Sequence, residues 1–513
     1  MPVENRASAR FDGRPETAIR FGRDVRVDSP DFTVEAFVKP EESWDYAAIA
    51  ADWEEVGDQR AWALVLCAGN GLRFDVMPDG KFHPGNTLIT PTRLLRGGSW
   101  YHVAAVSQGN VSRVYVNGRL SAEKQRPMAG IFKRDLGDRP GAANASSAAR
   151  ESKAATGIQI GNVACFAGQP RPFAGLMDEV RITRRALAPH EFLRTRDPMP
   201  EPKGPIPAQY ELPFTATTRE AALAWQQRAR RRLLELVSAR TPRRSLAERP
   251  LDFQITTSEN RAAYRFHQAT FQGNDGQRYA CWWTVPKGQG PFPAVLCLHG
   301  HGGSAEAVWD PKQNYGAFAE RLARGGYCTL TPSFPHRPYA AETLWDLLRC
   351  VDLLSSRKEV DAQRIGVMGL SMGGEWTMWV AACDERLKAA VVSGWMCTTE
   401  GVFAVFNCPC WELPGFVELM DVCEVNLLIA PRPVLFESAE NDPCFLLRYT
   451  RQGFSRIRAG YQVFGAEGKA THDVFPGGHK VHGTLAYPFL DKILGGTAAD
   501  AGATQGDQNP RTK

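Results

Sequence analysis

Ser371 lies in Arg364-Ile-Gly-Val-Met-Gly-Leu-Ser-Met-Gly-Gly374, where a short apolar run meets a serine with glycine two residues to either side. A serine hydroxyl attacks a carbonyl carbon once a base takes its proton, and that base needs an acid to fix its tautomer. Gly369 and Gly373 keep Cβ atoms away from a sharp strand-to-helix turn, which lifts the hydroxyl clear of the backbone. Read alone, the stretch also fits a glycine-rich turn whose serine only caps the following helix. Three other stretches bear on the choice.

Phe475-Pro-Gly-Gly-His-Lys-Val-His482 is a loop before a predicted helix from Gly483 to Leu494. His479 follows two glycines that let the loop fold back, so it is the expected base, ahead of His482 and then His472. The expected acid is Asp442, in Ala439-Glu-Asn-Asp-Pro443 just past the apolar Val434-Leu-Phe-Glu-Ser438 strand. Glu440 is its reserve, and Glu437 is read as buried in the strand. Ala294-Val-Leu-Cys-Leu-His-Gly-His-Gly-Gly-Ser304 runs an apolar strand into a glycine turn that can aim backbone amides at one point. The oxyanion donors expected on a tetrahedral intermediate are the N–H groups of Met372 and His301.

These loops need a scaffold of alternating strands and helices. Ile365 to Met368 reads as a central strand, Glu375 to Ala382 as a buried helix and Leu387 to Ser393 as the next strand, a βαβ unit around the serine. Upstream, Thr217 or Thr218 caps a helix running to about Val237, and strands alternate from Leu251 to Pro286. The first ~195 residues differ, with period-two runs such as Asp31-Phe-Thr-Val-Glu-Ala-Phe-Val-Lys39 and a hairpin turn at Asn117-Gly118. That is the pattern of an antiparallel β-sandwich. Arg134 to Thr156 reads as a flexible surface insertion, and Asp197 to Pro213 as a proline-rich linker. The expected division is a sandwich over 8–195, a linker over 196–216, a catalytic α/β domain over 217–495 and a disordered tail over 496–513.

Phe32-Thr-Val-Glu-Ala-Phe-Val, Trp100-Tyr-His-Val-Ala, Val114-Tyr-Val-Asn-Gly and Gly175-Leu-Met-Asp-Glu-Val-Arg-Ile resemble laminin-G-like, concanavalin-type jelly-roll domains. That resemblance implies a possible glycan-facing surface and in some members calcium, but no residue carries over a sugar or calcium site; Asp178 and Glu179 read as partners of the final strand. The second half resembles the α/β-hydrolase superfamily, closest to its dienelactone-hydrolase-related and acetyl-xylan-esterase-like group. The resemblance rests on the elbow, His299-Gly-His-Gly-Gly, Leu427-Leu-Ile-Ala-Pro-Arg-Pro-Val-Leu, Asn441-Asp-Pro and Gly477-Gly-His, with the superfamily's order of Ser, Asp, His. Dienelactone hydrolases proper use a cysteine nucleophile, so Ser371 implies ester hydrolysis instead. The stretch Gly394 to Pro414 supplies Trp395, Met396, Phe403, Phe406 and Trp411; Trp395, Phe406 and Trp411 line a substrate pocket or pack a cap into the core.

A net charge of +5 over 513 residues gives no warrant for nucleic-acid binding, and Arg228 to Arg232 and Arg240 to Arg244 read as solvated surface. No stretch has the ~20 continuous apolar residues of a membrane span, and Met1 to Arg10 lacks a signal peptide's apolar core. The twelve cysteines are scattered, most of them inside apolar runs as reduced core residues. Cys408-Pro-Cys410 with Cys423 is the one local cluster; without a paired Cys-x-x-Cys or a nearby histidine it is not assigned to zinc. The function expected is therefore serine ester hydrolysis on a small-molecule or polysaccharide ester, with no cofactor and no metal. The alternatives are a serine peptidase of the prolyl-oligopeptidase kind and a glycan-binding protein with an inert hydrolase fold.

Overall fold

The computed structural model describes residues 8–498 except 15, 22–24, 42–45, 56–57, 68–69, 91–93, 133–156, 164–169, 194–205, 208 and 405–407. The insertion expected at 134–156, most of the linker and tail, and Phe406 lie outside the described residues. The chain divides into two compact units, Met1–Pro205 and Ile206–Lys513.

The first unit is built from two six-stranded sheets. One runs Ala9–Asp12, Ala174–Thr183, Phe32–Pro40, Tyr101–Gln108, Val111–Val116, Arg119–Gln125, every neighbour antiparallel. The other runs Ile19–Arg20, Gln159–Ile160, Ala47–Glu54, Gln59–Cys67, Gly71–Gly80, Thr87–Ile89, again antiparallel. Alternate residues of each strand meet in one core, in which Phe32 contacts Trp62 and Phe74 at ring separations of 5.7 and 5.9 Å. Asn117 and Gly118 both take positive φ, 50° and 76°, the conformation the Asn-Gly pair is suited to in a tight hairpin. On the outer side of the first sheet, Glu35 is fully buried, accepting from His102 Nε2 at 2.8 Å, Arg181 Nε at 2.6 Å and the Leu193 N–H at 2.8 Å. Burial opposes its charge, but the bonds from His102, Leu193 and Arg181 outweigh that and hold Glu35 below the usual carboxylate range. Among the described residues Asp178 and Glu179 join no metal-type cluster; the Asp178 carboxylate accepts the Glu179 N–H at a bulge in the strand.

The second unit holds a nine-stranded sheet: β1 Gln254–Asn260, β2 Tyr264–Gln272, β3 Arg278–Pro286, β4 Phe292–Leu298, β5 Cys328–Pro332, β6 Val360–Leu370, β7 Leu387–Ser393, β8 Val434–Ala439 and β9 Ala470–Phe475. Their order is β1-β2-β3-β5-β4-β6-β7-β8-β9, antiparallel up to β5 and parallel beyond it. The parallel strands are continuous apolar runs because helices cover both faces. Five of those helices matter here: α1 Arg219–Arg240, α2 Leu344–Ser356, α3 Met372–Cys383, α4 Leu447–Val463 and α5 Ala486–Leu494. Ala486, Tyr487, Leu490 and Leu494 of α5 join Val295, Met368, Leu370, Val391 and Leu435 in one core cluster.

Three details depart from the sequence reading. Helix α5 begins at Ala486 rather than Gly483, because Gly483 takes a φ of 78° and donates its N–H to Glu437 at 2.6 Å. Arg230 is not simply solvated: its guanidinium donates to the carbonyls of Ala382 at 2.8 Å and Leu428 at 3.0 Å, capping the end of α3. Cys423 is buried beside Asp421, apart from Cys408 and Cys410. Thr218 is the residue that caps α1, its hydroxyl accepting the Ala221 N–H. Before it, Glu211 and Leu212 pair with the carbonyls of Glu418 and Leu419 at 2.9 and 2.8 Å, so residues 211–212 are docked on this unit. Among the described residues no helix is long and apolar enough to cross a membrane.

Candidate active site

The elbow follows from its glycines. Ser371 stands between β6 and α3 with φ 62° and ψ −125°, a strained conformation for a residue with a side chain that costs on the order of 1–3 kcal/mol. A Cβ on Gly369 would lie 2.3 Å from the Gly373 carbonyl oxygen, and one on Gly373 would lie 2.4 Å from that of Leu298. No larger residue fits either place. The Ser371 N–H donates to the Ser393 carbonyl at 2.9 Å, tying the turn to the end of β7.

Asp442 and His479, 37 residues apart, meet with Oδ2 and Nδ1 2.7 Å from each other. Asp442 is 4 % exposed, and its other oxygen accepts the N–H groups of Cys444 at 2.8 Å and Phe445 at 3.2 Å, which lock its rotamer. The Phe445 ring lies nearly parallel to the imidazole at 6.0 Å. Gly394, at the end of β7, makes room for that imidazole: a Cβ there would lie 2.9 Å from His479 Cε1 and 3.1 Å from Leu370 Cδ1. His479 and Leu370, the residue that precedes Ser371, therefore border the same space at Gly394.

The reserve residues are placed elsewhere. His482 pairs with Asp473 at 2.7 Å through Nδ1 and with Thr484 at 3.0 Å through Nε2, so both ring nitrogens are engaged. His472 is inside β9 against Phe454, and burial pushes its pKa down to about 4. Glu440 is exposed, and its backbone N–H bonds the Phe475 carbonyl. Glu437 is fully buried; burial raises its pKa, while it accepts from the Ser393 hydroxyl at 2.6 Å and from the N–H groups of His482 and Gly483. It therefore anchors the loop that carries His479.

The turn after β4 is ordered by a buried histidine. His299 is 1 % exposed; its Nε2 accepts the Phe334 N–H at 3.1 Å, which places the proton on Nδ1, donating to the Gly300 carbonyl at 2.9 Å. Burial holds its pKa below the ordinary histidine value, so this tautomer stays neutral. The Gly300 N–H donates to the Tyr315 hydroxyl at 2.7 Å, and a Cβ on Gly300 would lie 3.1 Å from Ser371 Cβ. Among the described residues the N–H groups of Met372 and His301 are paired with no backbone carbonyl.

Of the pocket residues, Trp395 is 5 % exposed and packs edge-on to Phe445 at 5.2 Å, one ring removed from His479. Trp411 is buried against Phe403 at 5.0 Å.

The structure also gathers residues that spacing alone does not. His301, His336, Cys408 and Cys410 present ligand atoms all within 4.8 Å of one another. His301 Nε2 is 3.3 Å from Cys410 Sγ, and His336 Nε2 is 3.5 Å from Cys408 Sγ. A hydrogen bond from the Cys410 thiol, and then His301, hold the Cys408 thiol below the usual thiol range, while the Cys410 thiol is pushed up. The signal for this grouping was topological: β4 and β5 are parallel neighbours, and His301 and His336 each come within a few residues of their carboxyl ends.

An antiparallel two-sheet sandwich, and a mostly parallel nine-stranded sheet with its serine on a strand-to-helix elbow, give the chain a concanavalin-type sandwich followed by an α/β-hydrolase fold. Residues 12–144 match the Concanavalin A-like lectin/glucanases superfamily, and residues 336–399, spanning the elbow, match the Prolyl oligopeptidase family. Among curated relatives, "Putative hydrolase YtaP" of Bacillus subtilis is 26 % identical over 226 residues, which are 36 % of this chain and 73 % of that protein. Esterase EstD of Thermotoga maritima is 32 % identical over 118 residues, 21 % of this chain, and the match spans only 27 % of EstD. A solved glucuronoyl esterase from Solibacter usitatus aligns with 58 % of this chain and 98 % of its own at 18 % identity and a TM-score of 0.44.

Proposed function

We propose that this protein is a serine carboxylic-ester hydrolase working through an acyl-enzyme on Ser371. The observation that carries the reading is the 2.7 Å Asp442–His479 pair, whose imidazole borders the space at Gly394 that Leu370, just before the strained elbow serine, also borders. With Nδ1–H donated to Asp442, Nε2 is left to accept the Ser371 proton as the hydroxyl oxygen attacks the ester carbonyl. The N–H groups of Met372 and His301 receive the oxyanion, and each such donor is worth about 3 kcal/mol of barrier. His479 returns the proton to the leaving alcohol, then activates the water that releases the acid and restores the serine. The residues in this scheme need no cofactor.

The substrate class we favour is a carbohydrate ester. Its support is the resemblance to acetyl-xylan-esterase-like proteins and a sandwich of a kind found in lectins, which would hold the enzyme on a glycan. The name of EstD supports ester over amide chemistry. The match over residues 336–399 keeps one rival in view, a peptidase of prolyl-oligopeptidase type. Full-length protein should turn over p-nitrophenyl acetate and acetylated glycans and leave proline p-nitroanilides intact. Preference for the anilides would replace ester hydrolysis by peptidase chemistry, and no turnover of either would mean an inert fold on a binding protein. Ser371→Ala should lower the ester rate at least ~1000-fold.

A further inference from the structure

We propose that His301, His336, Cys408 and Cys410 bind one zinc ion, a closed structural site beside the catalytic turn. Four nitrogen and sulfur ligands in a Cys2His2 set are the donor set of a structural tetrahedral site. With Zn–S of about 2.3 Å and Zn–N of about 2.05 Å, tetrahedral geometry puts sulfur and nitrogen ligands about 3.6 Å apart. The two Sγ···Nε2 separations are 3.3 and 3.5 Å, and the widest spacing within the four is under 4.8 Å. Ligation therefore needs shifts of about 1 Å or less, with no backbone rearrangement. The two imidazole rings, with centroids 4.8 Å apart and 43° between planes, stand side by side as two ligands of one ion do.

The charge balance agrees. Two thiolates and two neutral imidazoles cancel a dication, and binding releases whatever protons the two thiols carried. Cys410 is buried while His301 and His336 are exposed, so the sulfur side is seated in the protein and the ion enters from the histidine side.

The ligands come from three segments: the turn after β4, the loop after β5, and the stretch between β7 and β8 that carries Trp395 and Trp411. Zinc would join these into one body. Because His301 also offers the backbone N–H assigned to the oxyanion, the metal acts as a positioning device for that amide. The site itself does not depend on the ester reading, since metal content is measured whatever the protein hydrolyses.

Full-length protein purified under reducing conditions, without affinity resins that carry metal, should contain close to one zinc per chain by elemental mass spectrometry. His336→Asn and Cys408→Ser should each reduce that at least tenfold at the same zinc exposure. His336 is exposed, so its variant keeps the fold and distinguishes lost ligation from misfolding. Replacing zinc by cobalt should give the intense visible bands and thiolate charge transfer of a tetrahedral S2N2 centre. Zinc that persists in both variants, a six-coordinate cobalt spectrum, or protein that takes up no zinc would each overturn the site. So would a Cys408–Cys410 disulfide formed in place of binding.

Discussion

Asp442 and Glu440 are two residues apart, and either carboxylate would satisfy a sequence motif. Only Asp442 reaches the imidazole, and two backbone N–H groups hold it there. Asp442→Asn should keep the shape of that contact but favour the wrong histidine tautomer, lowering kcat on p-nitrophenyl acetate about 10³- to 10⁴-fold. Glu440→Gln should leave kcat within about twofold by the same assay, being a surface change. The reverse ranking would move the acid to Glu440. Gly300 makes a second residue-scale claim: Gly300→Ala would put a methyl 2.9 Å from the Leu370 carbonyl oxygen and 3.1 Å from Ser371 Cβ. We expect at least a tenfold loss of kcat with Tm lowered by a few degrees, read by steady-state kinetics and thermal unfolding. The Asp442–His479 pairing was legible because both residues follow regular parallel strands, β8 and β9. The grouping of Cys408 and Cys410 with two histidines was not, because ligands about 70 and 110 residues away are invisible to local spacing.

At the scale of elements, β9 carries a titratable group in an awkward place. His472 has no partner for its buried Nε2 among the described residues, and Arg451 and Asp473 are the charges that face it. Burial, helped by Arg451, depresses its pKa from 6.5 to about 4. The unfolded chain therefore binds more protons than the folded one between those values, and stability is complete above pH 6.5 and lost as pH falls toward 4. A shift of that size corresponds to at most about 3 kcal/mol. His299 on the turn after β4 works in the same direction. Tm should fall between pH 7 and 4.5, and His472→Phe should make that fall shallower; parallel curves for the two proteins would remove His472 as its source. The sequence made strand positions readable through apolar runs, yet misplaced the start of α5 by three residues. The reason is tertiary: Glu437 captures the Gly483 N–H and holds the chain out of the helix.

On the scale of the whole molecule, the two units have separate cores, and the triad candidates all lie in the second. A chain beginning at Ile206 should fold, show its own cooperative thermal transition and hydrolyse p-nitrophenyl acetate at close to the full-length rate. Its activity on an insoluble acetylated polysaccharide should drop several-fold. Equal activity on both substrates would make the sandwich a structural appendage rather than an anchor. The strained backbone of Ser371 has a bearing on how such a chain persists through generations. Glycine takes a φ of 62° with little penalty, so Ser371→Gly should be more heat-resistant than the parent while having no nucleophile. A lineage screened only for endurance would drift toward that glycine, and a serine retained there marks descent under selection for turnover.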